Sequence, residues 1–373
     1  MISKKPMFLQ KLALVNFKNY EQTEINLSAK INCFVGNNGV GKSNILDAIH
    51  YLSLCKSYFN SIDSQNIRHG NDFFVIQGKY TINNNEEDIY CGFKRNSRKV
   101  FKRNKKEYDR LAEHIGLIPV VLVTPSDSSL ITDGSEGRRR LIDSIISQFD
   151  KPYLENLIQY NRLLIQRNKL LKEFAESNRF DGEMLDVYSE QLATIGSSIY
   201  QKRTEFINAF IPVFRKYYQL IAGTNEEAEL QYQSQLHETT MIALLRNNTG
   251  KDRALEYTSM GIHKDDLLLS LDGFPVKRIA SQGQQKTYLV ALKLAEFDFI
   301  SQISGLKPLL LLDDIFDKFD PARVKQIIRL ASDEHFGQIF ITDTEITRIN
   351  TVLKEISFDH AIFHVENGLI QII

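Results

Sequence analysis

Apolar and polar residues alternate from Leu9 to Val15 and again at Ile25 and Leu27, the period-two pattern of strands with one buried face. A short apolar run, Ile31 to Val35, then meets a glycine cluster. Behind it, Ile45, Leu46, Ile49 and Leu52 recur at helical spacing, so the order predicted is strand, glycine loop, helix. Further strands are expected between 73 and 103 and at Val120 to Val123, the latter bounded by Pro119 and Pro125.

From about 135 to 221 the period changes. Leu154, Leu157, Asn161, Leu164, Asn168 and Leu171 recur at steps of three and four, as do Leu185, Tyr188, Leu192, Ile195 and Ile199. This predicts two long helices turned back on each other through the polar link Glu176 to Gly182. Each arm would run roughly 60 Å over some 40 residues at about 1.5 Å per residue. Asn161 and Asn168 interrupt the stripe, and Pro212 is expected to kink or end the second helix. Leu267 to Ile279 alternates around Asp272-Gly273, a hairpin signal. A helix should open near Ser281, and the apolar runs Leu309 to Leu312 and Ile339 to Thr342 predict buried strands. The fold class expected is α/β, a head with an inserted α-helical lobe. Its parts would be 1–134 with the glycine loop, 135–260 as the helical lobe, and 261–373 as the end of the head.

Composition agrees with a folded body: of 373 residues, 43% are hydrophobic and 25% charged, which excludes disorder and fibrous repeats. Lysine plus arginine (46) balance aspartate plus glutamate (46), so a polyanion would have to be held by a local patch. Cys33, Cys55 and Cys91 form no CxxC pair and fit a reducing compartment. No run approaches the roughly 18 apolar residues of a membrane span, and the N-terminal stretch does not read as a signal peptide, so a cytoplasmic protein is expected.

Candidate chemistry starts at Gly36-Asn37-Asn38-Gly39-Val40-Gly41-Lys42-Ser43, a complete G-x-x-x-x-G-K-S phosphate loop with the flanks it requires. Its backbone N–H groups and the helix N-terminus would cradle phosphates, Lys42 would reach the β and γ phosphates of ATP, and Ser43 would ligate Mg²⁺. Asp313 and Asp314 follow four leucines: Asp313 would hold the metal and Asp314 would orient or deprotonate the attacking water. Ser281-Gln-Gly283-Gln-Gln-Lys286 opens a helix upstream of them. Alone, it is equally a helix cap. In this order, phosphate loop, S-x-G-Q and D-D are arranged as in ABC-type ATPases, where Ser281 and Gly283 would contact the γ-phosphate bound by a partner subunit.

Asn16-Phe17-Lys18-Asn19-Tyr20, the phosphate loop, Pro125-Ser-Asp127, Gly137-Arg138-Arg139-Arg140-Leu141-Ile142-Asp143, Gly261-Ile-His-Lys-Asp265-Asp266-Leu267, SQGQQK and LLLLDDIFDKFD together resemble the RecF family of SMC-like proteins. The resemblance runs nearly end to end. It implies an ATP-dependent homodimer that binds DNA, with preference for gapped duplex and junctions of single and double strands. It also implies action with RecO and RecR in loading RecA, and slow hydrolysis that times DNA release. Three positions depart from the general ABC pattern. Asp314 stands where most heads carry glutamate, Asp127 falls at the Q-loop glutamine, and Thr342-Asp343-Thr344 occupies the place of a switch histidine. Asp317 to Asp320 resembles the D-loop.

The densest basic run comprises Arg95, Arg98, Lys99, Lys102, Arg103, Lys105 and Lys106 with no acid among them, the candidate DNA-backbone contact. Arg138, Arg139 and Arg140 are a second cluster, which a helix would scatter over different faces. The histidines show no zinc-ligand spacing; His263 reads as a turn residue. Rival readings are a clamp or scaffold of SMC type with negligible turnover, a P-loop kinase or transporter ATPase, and an overcoming-lysogenization ATPase, for whose nuclease domain the 53 residues after Asp320 (373 − 320) leave no room.

Overall fold

The computed structural model describes residues 6–223, 225–315, 336–353 and 359–373. The chain divides into two compact units: 1–127, 220–223 and 286–373 form the first, 128–219 and 224–285 the second. The expected boundaries at 135 and 260 therefore move to 128 and 285, which puts Ser281 with the second unit.

The strands of the first unit are β1 (Met7–Phe17), β2 (Tyr20–Asn26), β3 (Ile31–Val35), β4 (Phe73–Ile82), β5 (Asn85–Lys94), β6 (Val100–Arg103), β7 (Lys106–Glu107) and β8 (Val120–Val123). After β9 (Ala228–Gln233), β10 (Asp266–Leu271) and β11 (Phe274–Pro275) of the second unit, the first unit resumes with β12 (Leu309–Leu312), β13 (Ile339–Asp343), β14 (His360–Glu366) and β15 (Leu369–Ile372). Two six-stranded sheets result, with orders β2-β1-β4-β5-β6-β7 and β15-β14-β3-β13-β12-β8. The first is antiparallel; in the second β14, β3, β13, β12 and β8 run parallel.

The pattern explains the difference between the sheets. β1 alternates buried and half-buried positions, as a strand with one covered face should. β3, β8, β12 and β13 are buried at every position, as parallel strands covered on both faces must be. The helix Lys42–Leu54 shares one hydrophobic cluster with strands of both sheets: Ile45, Leu46, Ile49 and Leu52 lie with Leu12, Leu14, Phe74 and Ile76 and with Leu122, Leu311 and Phe340. Asp47, His50 and Ser53 on this helix are buried too, and each has a partner. Asp47 accepts from Ser57 Oγ (2.6 Å) and Tyr58 N (2.7 Å) and pairs with Lys18, His50 Nδ1 meets Lys56 O, and Ser53 bonds Ile49 O. Gln338 ties the first sheet to the stretch before β3, exchanging two bonds with the Leu9 backbone and donating to Ser28 O.

In the second unit the hairpin forms as predicted, but its arms are unequal. The first helix is Lys151–Ser177, 27 residues or about 40 Å, and the second Gly182–Ala222, 41 residues or about 62 Å. The first arm is shorter because a new helix starts at 151. Asp150 caps it by accepting from Tyr153 N at 2.9 Å, Pro152 occupies its first turn, and Ser135–Ser147 is a separate helix. Pro212 lies inside the second helix rather than ending it. Asn168, which breaks the stripe, accepts from Thr258 N and Thr258 Oγ1, both at 2.7 Å. The hairpin at Asp272-Gly273 is short: β11 has two residues, and a helical turn, Val276–Ile279, follows.

Candidate functional site

The phosphate loop runs from the end of β3 to the first helix. Gly41 holds φ +111°, and a Cβ there would collide with the Asn19 side chain; Gly36 holds φ +158°, and a Cβ would collide with Val365 O. Only glycine fits either place. Lys42 is buried, and its Nζ donates to the loop's own carbonyls, Gly36 O at 2.8 Å and Asn37 O at 2.9 Å. The ammonium is thus held inside the loop's curve, beside the exposed Asn37, Asn38 and Gly39.

Two side chains missed by the sequence reading support this loop from behind. Asn19 Nδ2 donates to Val40 O (2.9 Å) while Asn19 Oδ1 accepts from Asn44 Nδ2 (2.7 Å), and the Tyr20 hydroxyl donates to Gly41 O (3.0 Å). Both belong to the Asn16–Tyr20 motif, whose turn uses positive φ at Asn16 and Lys18. Its presence as a motif was visible; the loop it braces was not.

Parallel pairing brings Asp313 to Ser43. β12 pairs with β13 and β13 with β3, so the Asp313 end of β12 lies on the same edge of the sheet as the loop. Ser43 Oγ donates to Asp313 Oδ1 at 2.7 Å, and Thr342 Oγ1 donates to the same oxygen at 2.8 Å. Burial raises the Asp313 carboxyl above its ordinary range and Asp314 adds to this, while the two hydroxyl donors oppose it. Asp314 adopts φ +48°, its N–H donates to Thr342 Oγ1 at 2.8 Å, and its Oδ1 is buried with no partner among the described residues. A hydroxyl beside a carboxylate is a hard-oxygen donor pair of the kind Mg²⁺ takes together with water and phosphate oxygens, so these residues fit the ion. Among the described residues, no cluster of three or more His, Cys, Asp or Glu offers a metal cage.

Asp343 faces the same strand ends. Burial raises its carboxyl, which accepts from Glu345 N and pairs with Arg348 at 3.4 Å. Asp127 turns inward: it accepts from Thr124 N (2.7 Å) and the Tyr58 hydroxyl (2.8 Å) and lies 3.7 Å from Lys293 Nζ, which also pairs with Glu296 at 3.3 Å. Burial alone would lower the Lys293 pKa, but the two carboxylates together hold it above the ordinary lysine value. Asp127 is thus one acid of a buried charge cluster. The expected D-loop, 317–320, lies outside the described residues.

In the second unit Ser281 and Gln284 form a capping box at the start of the helix Gln282–Ser304: Ser281 N donates to Gln284 Oε1 (2.8 Å) and Gln284 N to Ser281 Oγ (3.3 Å). Ser281 is exposed and Gly283 half-exposed. Both sequence readings of this segment, cap and phosphate contact, remain compatible, since the N-terminal turn of the helix faces solvent.

The basic run divides. Lys99 is committed to Asp63 (2.9 Å), Cys55 O (2.7 Å) and the Tyr51 hydroxyl, and Arg103 forms a two-bond pair with Glu87 at 2.8 and 2.5 Å. Both side chains thus already hold carboxylate partners within the first unit. Arg95, Arg98, Lys105 and Lys106 are exposed on the β5–β6–β7 edge, and half-buried Lys102 lies with Lys105 in a cleft of about 250 Å³ against Tyr90. Two of the arginine triplet are tied internally as well: Arg138 pairs with Asp266 and Arg139 donates to Asp265 O, whereas Arg140 is exposed and pairs with Glu136 on its own helix. His263 sits in the turn Ile262–Lys264, bonded to Tyr160 and Thr258 O.

A phosphate loop at the end of a buried parallel strand, a two-acid strand end beside its Ser43, and an S-x-G-Q helix start define an ABC-type ATPase head of the SMC class. The RecF/RecN/SMC N terminal domain model matches residues 8–371. Proteins named DNA replication and repair protein RecF from Parabacteroides distasonis and Phocaeicola vulgatus are 52% and 51% identical, covering 98% and 97% of this chain and 99% and 97% of theirs. The solved structure of "the recombination mediator protein RecF-ATP in RecFOR pathway" superposes with a TM-score of 0.90 at 28% identity, covering 100% of this chain and 99% of that one. The Smc head domain from Pyrococcus furiosus, at 18% identity and TM-score 0.58, shares the fold. The chain belongs to the RecF family.

Proposed function

We propose that this chain is an ATP-dependent, dimerising, DNA-binding ATPase of recombinational repair and replication, which binds gapped DNA and works with RecO and RecR to load RecA in support of the SOS response. The observation that carries this reading is the convergence of Lys42, Ser43, Asp313 and Asp314 at one sheet edge, in a chain about half identical to proteins named for DNA replication and repair. Bound Mg²⁺ would neutralise phosphate charge and polarise the γ-phosphoryl group. Gly36 to Gly41 turn their backbone toward phosphates, and Lys42 exchanges its two loop carbonyls for phosphate oxygens. Ser43 and Asp313 would hold the metal, and Asp314, with one carboxylate oxygen unpartnered among the described residues, would orient the attacking water. Ser281 and Gly283 of a second copy would meet the γ-phosphate, so that closure joins two heads and DNA is gripped through the β5–β7 edge.

Sedimentation of the purified protein with and without ATP, in the presence of gapped DNA, tests dimerisation and DNA coupling together. ATP should shift the chain to a DNA-bound dimer, and Lys42→Ala should abolish both ATP binding and the shift; a monomer under all conditions overturns the reading. Turnover compared with Asp314→Asn separates an ATPase from an ATP-gated clamp: the ATPase loses its rate in the variant, whereas a clamp shows negligible turnover in both.

A further inference from the structure

We propose that Thr342 is the positioning residue for both acids of the ATP site, one hydroxyl setting the Asp313 carboxylate and the main-chain turn that presents Asp314. The inference rests on the reading of this site as one that binds and hydrolyses Mg²⁺-ATP.

Thr342 lies on β13, the strand between the phosphate-loop strand and the two-acid strand, in register with Phe34 of β3 and one residue beyond the Ile341–Leu312 pair. It is fully buried, so its hydroxyl must find protein partners. A hydroxyl has one proton and two lone pairs. An amide N–H can only donate, so the 2.8 Å contact from Asp314 N occupies a lone pair of Thr342 Oγ1, and the hydroxyl proton goes to Asp313 Oδ1 at 2.8 Å. Chemistry therefore fixes the sense of both bonds. The relay runs Asp314 N–H to Thr342 O–H to Asp313 Oδ1, where the Ser43 hydroxyl also arrives.

Two features make this arrangement demanding. Asp314 holds φ +48°, a left-handed conformation disfavoured for residues with a Cβ, and the bond from its N–H helps hold that turn. The turn in turn places a carboxylate whose Oδ1 is buried and without a partner among the described residues. Threonine is the suitable carrier, because its branched Cβ restricts χ1 in a strand and so presets the hydroxyl direction. Thr342 itself contacts neither nucleotide nor metal in this scheme. It acts through Asp313 and Asp314.

Thr342→Val keeps the shape and removes the hydroxyl, leaving two polar groups each short of one partner; Thr342→Ser keeps the hydroxyl. For each purified variant and the wild type we would measure kcat and KM for ATP, the Mg²⁺ dependence of turnover, binding of a fluorescent ATP analogue in EDTA, and the melting temperature. Thr342→Val should lose about 10- to 100-fold in kcat, the loss of two buried hydrogen bonds. Its Mg²⁺ half-saturation should rise, while analogue binding in EDTA stays within about twofold. Thr342→Ser should recover kcat to within about threefold of wild type. Wild-type kcat and Mg²⁺ dependence in Thr342→Val, or equal losses in the Val and Ser variants, would overturn the inference. Should Thr342→Val fail to fold, Thr342→Ala is judged by the same criteria. A wild type that binds the analogue without turnover would refute the hydrolysis reading alone, and Thr342 is then decided by whether Mg²⁺-dependent binding weakens in Val and recovers in Ser.

Discussion

Arg138 grips Asp266 through two parallel hydrogen bonds, Nε to Oδ1 at 2.7 Å and Nη2 to Oδ2 at 2.8 Å, and so joins two sequence motifs 128 positions apart. Close by in the chain, Arg139 donates to Asp265 O at 2.6 Å. Arg203, almost fully buried, binds Asp143 of the first motif and Asp265 of the second. The G-R-R-R-L-I-D and G-I-H-K-D-D-L segments are therefore two halves of one ion-pair network inside the second unit.

Arg138→Ala and Asp266→Ala should each lower unfolding free energy by about 1–3 kcal/mol, since each strands a half-buried opposite charge. The double variant should cost less than the sum of the two, a coupling readable from urea denaturation. Because Arg138 is occupied internally, the salt dependence of DNA binding should be unchanged in Arg138→Ala.

The exposed members of the basic run behave oppositely. Changing Arg95, Arg98, Lys105 and Lys106 to Gln should flatten the log–log salt dependence of DNA affinity, by about 0.9 for each phosphate no longer neutralised. Stability should hardly change, because these side chains face solvent. An unaltered slope and affinity would remove this edge from the DNA interface.

Ser281 has two roles that one pair of substitutions separates. Ser281→Ala loses both the cap and the hydroxyl, whereas Ser281→Asn keeps a good cap. Both variants should bind ATP yet fail to dimerise with it in sedimentation. If Ser281→Asn dimerises like wild type, the serine acts only as a cap.

Asn19 braces the phosphate loop at Val40 O and the following helix at Asn44, so its effect on nucleotide should be indirect. Asn19→Ala removes bonds to Val40 O and from Asn44 and should weaken ATP binding about tenfold, the worth of one to two hydrogen bonds. Titration with a fluorescent analogue measures this; an unchanged dissociation constant would show the loop to be rigid without its brace.

Stability should fall with acid. His50 and His114 are buried and His263 half-buried, and loss of hydration pulls each pKa down to about 4. The neutral ring suits its site: in His114, Nε2 donates to Leu52 O and Nδ1 accepts from the Tyr108 hydroxyl, and His263 repeats the pattern with Thr258 O and Tyr160. Unfolded histidines titrate near 6.5, so between about pH 6.5 and 4 the unfolded chain binds more protons. This contribution is complete above about pH 6.5 and is lost as pH falls toward 4, by about 1.4 kcal/mol per pH unit for each ring. Urea midpoints measured across that window should drop, and His114→Gln should shallow the slope.

Much of this molecule was legible from the chain alone. Alternation and apolar runs located most of the strands from β1 to β6 and β8, β12 and β13, because a strand's period and a parallel strand's continuous burial are written in residue type. The phosphate loop was readable because backbone curvature there requires glycine, and the hairpin because two helical stripes flank one polar link. Helix length was set locally, by the Asp150 cap and Pro152, a signal that lies in the chain but not in its periodicity. Two things depended on the third dimension. The fate of each basic residue depended on which carboxylate lay across from it: Glu87 and Asp63 withdrew Arg103 and Lys99 from a run that looked uniform. The support of the site, through Asn19, Tyr20 and Thr342, came from contacts between residues 21 to 29 positions apart that no local period predicts, and sheet register brought Asp313 to Ser43 across 270 positions. Local periodicity and backbone demands act between neighbours in sequence and can be read there, whereas the pairing of buried polar groups is decided only when the chain closes and each must find a partner.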